Sequence, residues 1–115
     1  MAENMMEWQH PDGYWSYAFT EPADQVGVSE KGTALWCLLL YRLYGITYDA
    51  RHLEAARKAL LWCMDNQYTG PDQDAYGSIV GITSQSGVTY RSWFPLSCTY
   101  TSGFFGLALI EELSL

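Results

Sequence analysis

Basic residues are scarce in this chain of 115 residues: six Lys and Arg stand against thirteen Asp and Glu, for a formal net charge of -7. A surface of that sign repels phosphate backbones and anionic bilayers, so nucleic acid is not an expected partner. There are only two histidines and three cysteines. No CxxC or HxxxH spacing occurs, so neither a metal nor a cofactor is expected. No apolar run approaches the roughly twenty residues that cross a bilayer. The opening Met1-Ala2-Glu3-Asn4-Met5-Met6-Glu7 lacks the basic start and long apolar stretch of a secretion signal. The expectation is no membrane and a cytoplasmic location.

Charged residues are also few, at 17%, against 49% hydrophobic, which excludes disorder, since disordered chains have too little apolar surface to offset their entropy. The length suits one hydrophobic core, and residues 1–115 are expected to form a single domain or part of one. Aromatic residues are plentiful, with five Trp and nine Tyr. Such rings fill cores, but they also line sites where one face is dry and a polar edge is wet. Cys37 and Cys63 sit inside apolar runs and read as buried, reduced thiols.

Met1, Met5 and Trp8 recur at helical spacing and predict a short helix ending near Gln9, stopped by Pro11. Asp12-Gly13 is turn chemistry, which projects Tyr14 and Trp15 from a loop that continues to residue 28. Ser29 is an N-cap, with Glu30 complementing the helix dipole, for a helix over 30–44 that Gly45 closes. Its interior is apolar nearly all round, so it is expected to be buried on most sides. Asp49 caps the next helix, whose stripe of Leu53, Ala56, Leu60, Cys63 and Met64 opposes a charged face. The short interval makes it the antiparallel neighbour of the helix before. A loop with Gly70-Pro71 and Asp72-Gln73-Asp74 follows. Residues 78–83 and 88–94 then predict a small β-hairpin, and a last apolar helix starts near Tyr100.

The order of helix, glycine-containing loop and apolar helix occurs twice. Gly13-Tyr14-Trp15 leads to a helix carrying Gly32, and Gly77-Ser78-Ile79 leads to one carrying Gly103. A glycine near a helix start implies that something packs close to the backbone there. Repeated helical hairpins bury one unit on the next in a stacked or closed array, with amphipathic helices outside apolar ones.

Gln9-x-x-x-Gly13-x-Trp15 is similar to the clasp signature of the α/α barrels of triterpene cyclases. The wider pattern resembles the six-hairpin glycosidases, in particular the unsaturated glucuronyl and rhamnogalacturonyl hydrolases. It comprises Pro11-Asp12-Gly13-Tyr14-Trp15, Ser29-x-x-Gly32-Thr33-Ala34, Ala55-Ala56-x-x-Ala59-Leu60-x-Trp62 and Tyr100-Thr101-Ser102-Gly103-Phe104. The resemblance implies an all-α fold of helical hairpins of the α/α-toroid type, a partial barrel here because four helices make two of the six hairpins.

Paired carboxylates serve as acid and base in glycoside hydrolysis, which makes Asp72 and Asp74 the candidate catalytic residues. The competing reading is a solvated turn capped by its own aspartates. His10, Tyr14, Trp15, Tyr90, Arg91 and Trp93 form the candidate substrate-binding set, since flat rings with polar neighbours suit the apolar faces and hydroxyl edges of sugars. The alternative is that the rings pack the loop onto the helix ends. Three functions follow as expectations: a glycoside hydrolase-like chain acting on or binding acidic or plant-type oligosaccharides, a non-catalytic helical module for binding or oligomerisation, and a triterpene-cyclase-like fragment. Expected partners are a carbohydrate and either copies of the chain or the rest of a longer one, because an incomplete ring leaves helix flanks uncovered.

Overall fold

The computed structural model describes residues 1–74, 76–79 and 99–115. Helix accounts for 63% of them and no sheet forms among them, so the fold is all-α. The helices are α1 (Ala2–Trp8), α2 (Ala23–Val26), α3 (Glu30–Thr47), α4 (Ala50–Asp65) and α5 (Thr99–Leu113). The expected β-hairpin lies outside the described residues, apart from Ser78 and Ile79.

Ser29 caps α3 as its sequence suggests, its Oγ accepting the Gly32 N–H at 3.0 Å. The helix does not stop at Gly45, however. It continues to Thr47 and ends on Tyr48, which adopts a left-handed conformation (φ 54, ψ 21) and donates its N–H to the Tyr44 carbonyl. A non-glycine residue there costs about 1 kcal/mol, and local contacts offset it. The Tyr48 ring meets Tyr44 edge-on at 6.2 Å, the Thr47 hydroxyl accepts the Asp49 N–H, and Asp49 caps α4 by accepting the Arg51 N–H at 2.9 Å. Gly45, with nothing within 4 Å of where a Cβ would stand, is an ordinary helix residue.

Only Tyr48 and Asp49 separate α3 from α4, which makes the two an antiparallel pair. Helix α3 packs on both α4 and α5, which scarcely touch each other, and this central position explains its nearly all-round apolar sequence. The inward face of α4 is turned from the expected stripe. Met64 is exposed, whereas Ala55, Ala56, Ala59, Leu60, Trp62 and Cys63 are buried. The reason is that α4 is covered from two sides: the Cys37 thiol of α3 donates to the Ala56 carbonyl at 3.3 Å, while the loop after α1 lies along Ala55 and Ala59, with Gln9 bonded to the Ala55 carbonyl and Gly13 against the Lys58 and Ala59 backbone. Glu112 of α5 joins all three helices, accepting from the Tyr41 hydroxyl at 2.7 Å and from Arg57 at 2.9 Å.

The repeat is visible in hydrogen bonds. The Gln9 side-chain amide donates to the Gly13 carbonyl at 3.0 Å, and the Gln67 amide donates to the Gly77 carbonyl at 2.8 Å. Both glycines have positive φ, +108° and +87°, which glycine adopts without a Cβ clash. Two residues on, Trp15 and Ile79 are each buried. An isolated antiparallel bridge closes each loop, Ser16 with Val28 and Gln67 with Ile79. The expectation that another element packs close to the helix glycines is not met among the described residues. A Cβ at Gly32 would meet the capping Ser29 Oγ, and among the described residues nothing lies within 4 Å at Gly103.

Candidate functional site

The loop between α1 and α3 folds over the end of α1 and leaves a cleft of about 280 Å³, lined by Trp8, His10, Tyr14, Ser16, Phe19 and Glu21 among others. Its floor is held by the backbone. Tyr17 N–H donates to the Gly27 carbonyl and Ser29 N–H to the Trp15 carbonyl, while Ser16 Oγ lies 2.6 Å from the carbonyls of both Ala18 and Glu21. Two nearly parallel ring pairs stand in the lining. Trp8 stacks on Phe19 with centroids 6.4 Å apart and planes 14° apart, and His10 stacks on Tyr14 at 4.3 Å and 10°. Trp8 and Phe19 are both more than a third exposed.

His10 Nδ1 accepts the Asp12 N–H at 3.0 Å, which leaves Nε2 as the protonated nitrogen of the neutral ring. The Asp12 carboxylate, 3.6 Å from the same Nδ1, pairs with it only in the charged ring, and the shorter amide bond describes the neutral form. Burial, and then the charges of Asp12 and Asp24, raise the Tyr14 hydroxyl above its ordinary pKa. It is therefore a neutral donor and acceptor at physiological pH.

The sequence candidates are dispersed. His10 and Tyr14 line the cleft. Trp15 turns inward and has no exposed surface. Its indole N–H donates to the Met5 carbonyl at 2.7 Å, its backbone N–H to Thr33 Oγ1 at 3.1 Å, and its ring lies against Trp36. It locks the loop onto α1 and α3 and offers a ligand no face. Asp72 and Asp74 are exposed and do not line the cleft. Asp72 Oδ1 accepts the Asp74 N–H at 3.0 Å, and the Asp72 N–H donates to the Tyr68 hydroxyl, a turn built from its own side chain. Tyr90, Arg91 and Trp93 lie outside the described residues.

Sequence reasoning missed Trp8, Ser16, Phe19 and Glu21. Trp8 shares helical spacing with Met5 and so reads as core, yet of Met1, Met5 and Trp8 only Met5 is buried. The other three lie in a loop without periodicity, where no pattern marks them.

A second cavity of about 300 Å³ between α1 and α4 is larger but less suited to a ligand. Its cations are engaged within the fold: Arg51 bridges Glu3 and Asp49, and Lys58 pairs with Glu54. Among the described residues no group of three or more His, Cys, Asp or Glu could hold a metal, and no helix is long and apolar enough to cross a membrane. Burial pushes the Cys63 thiol up to about 12 and the Cys37 thiol higher still, so neither is a nucleophile. Compared with protein-family models, curated proteins and solved structures, the chain matches none.

Proposed function

We propose that this chain is a saccharide-binding segment of α/α-toroid type, with the cleft over α1 as its site. The observation that carries the reading is the pair of stacked ring sets, Trp8 with Phe19 and His10 with Tyr14, meeting Glu21 in one cleft. Exposed flat rings beside hydrogen-bonding edges suit the two-sided chemistry of a sugar. The volume lies at the lower end for small-molecule sites, enough for a short saccharide. The toroid part of the proposal is supported by the repeated Gln-to-Gly clasps and by a central apolar helix flanked by two others.

Binding is put ahead of hydrolysis. Glycoside cleavage uses two carboxylates across the scissile bond, and among the described residues Glu21 is the one carboxylate that lines the cleft. The test is titration with neutral trisaccharides, read by calorimetry and tryptophan fluorescence. Trp8→Ala should weaken binding at least about fivefold, since an aromatic anchor contributes more than about 1 kcal/mol, with the helical circular dichroism unchanged. If no saccharide binds the native chain below about 10 mM, a free energy under 3 kcal/mol, the reading fails.

A second reading, assembly with copies of the chain, is favoured by α5. Leu107, Ile110 and Leu113 recur every three residues and are exposed by 43%, 59% and 84%. Uncovered apolar helix faces mark interfaces. Sedimentation of the native chain beside Ile110→Glu separates the readings: a native dimer or trimer that the variant dissolves supports assembly, and a native monomer refutes it.

A further inference from the structure

Among the described residues, the cleft over α1 carries negative charge with no paired lysine or arginine in its lining. Its ionised lining group is Glu21, which reaches the rim beside Pro22 on a turn closed by the Glu21 N–H donating to the Ala18 carbonyl. Asp12 flanks it on the His10 side, its amide bonded to the imidazole. Asp24, on α2, stands close enough to Tyr14 to help raise its hydroxyl pKa, together with Asp12. One carboxylate thus lines the cleft, and two more lie near enough to act on its Tyr14 hydroxyl. The cations of the neighbouring α1–α4 surface are engaged elsewhere, Arg51 with Glu3 and Asp49, and Lys58 with Glu54.

The rings point the same way. Aromatic faces carry a negative quadrupole and attract cations within about 6 Å of the centroid. Trp8 and Phe19 are exposed at the cleft. An acidic sugar would meet repulsion from Glu21, Asp12 and Asp24 without a guanidinium or ammonium to receive its carboxylate, the group that normally binds it.

We infer that the cleft selects amine-bearing saccharides, with the protonated amine between Glu21 and the Trp8–Phe19 rings, and discriminates against uronic acids. The inference rests on the cleft being the saccharide site. It reverses the preference for acidic oligosaccharides that the resemblance to glucuronyl hydrolases implies.

The experiment compares three trimers of similar size on the full chain at pH 6, where a primary amine is protonated: a glucosamine trimer, a glucose trimer and a galacturonic acid trimer, by calorimetry at low salt and in 0.5 M NaCl. The glucosamine trimer should bind about fivefold tighter than the glucose trimer, the effect of roughly one unit charge pair fully screened by water. The galacturonic acid trimer should bind weakest. High salt should erase the amine advantage and leave glucose binding unchanged. Glu21→Gln should erase it too, because Glu21 engages the fold through its backbone; should that variant not fold, Asp24→Asn gives the same reading with a smaller effect. A glucosamine trimer no tighter than glucose, an advantage that survives salt and both variants, or a uronic trimer as tight as glucose overturns the inference and leaves the saccharide site standing. Failure of all three trimers to bind overturns both.

Discussion

Gly13→Ala is the substitution that tests the clasp most directly. Gly13 is buried, has φ +108°, and lies against the backbone of α4, so that a Cβ there would collide with the Lys58 carbonyl oxygen and sit 2.6 Å from its carbon. Backbone cannot rotate away as a side-chain end can, so the loop must lift from α4. Lifting breaks the Gln9 amide bonds to the Gly13 and Ala55 carbonyls, at 3.0 and 2.9 Å, each worth about 1 kcal/mol net. The positive φ adds about 1–3 kcal/mol of strain for alanine. Together these predict a loss of about 3–5 kcal/mol, a large share of the 5–15 kcal/mol of a typical domain. Gly77→Ala is the internal control. Its φ is +87°, but the nearest atom to a new Cβ is the mobile end of Gln67 at 3.9 Å, so it should show the dihedral cost alone, about 1–2 kcal/mol. Gly45→Ala, in open space within α3, should stabilise by about 0.5–1 kcal/mol. Urea titrations with a common m-value measure all three. Equal losses at Gly13 and Gly77 would refute the idea that contact with the α4 backbone is what holds the loop.

Trp15→Phe keeps a buried ring but removes the donor to the Met5 carbonyl, and should cost about 1–3 kcal/mol in urea unfolding; a neutral result would mean that the 2.7 Å bond contributes nothing. Glu112 has its pKa lowered, first by the hydrogen bond from Arg57 and then by that from Tyr41. A folded pKa below the unfolded value gives stability that is present above the ordinary carboxylate range and lost as pH falls through the folded pKa. Glu112→Gln should therefore cost about 1 kcal/mol at pH 7, modest because the pair meets solvent, and the difference from native should shrink below about pH 4.5 and vanish with further acidification. A gap that stays constant from pH 7 to pH 3 would rule out the ionic part. Cys37 and Cys63, buried and with raised pKa values, should resist iodoacetamide in the folded chain and react once urea unfolds it, as mass spectrometry of digested fragments would show; rapid alkylation of either in native buffer would contradict their burial.

Caps and punctuation were the most legible part of the sequence. Ser29 and Asp49 start their helices where a short side-chain acceptor should, because that bond is made within one turn. The repeat was legible too, since Gln9 with Gly13 and Gln67 with Gly77 place the same amide-to-glycine clasp after a helix end, across loops of different length. The helix end at Gly45 misled, as glycine permits a stop without compelling one. The contacts of Thr47, Tyr48 and Asp49 decided where α3 ends. The α4 stripe misled for a related reason: periodicity counts Met64 as core by its hydrophobicity, but the loop after α1 packs on Ala55 and Ala59, and that contact turned the buried face away from Met64.

The sequence by itself determined α1, α3, α4 and α5, the caps of α3 and α4, the short link between those two and the aromatic loop after Gln9, because each follows from interactions within a few residues; the short α2 lies in a stretch that reads as loop. Which rings face solvent was decided by tertiary structure alone. Trp8 and Trp15 are chemically alike and seven positions apart, yet Trp15 is sealed between α1 and α3 by the Met5 carbonyl, Thr33 and Trp36, while Trp8 stacks on Phe19 at a cleft. Burial depends on what arrives from distant parts of the chain, and residues 10–16 carry no record of α3 reaching them. The segment that reads as a ligand loop is a clasp through Trp15 and a candidate saccharide surface through His10 and Tyr14.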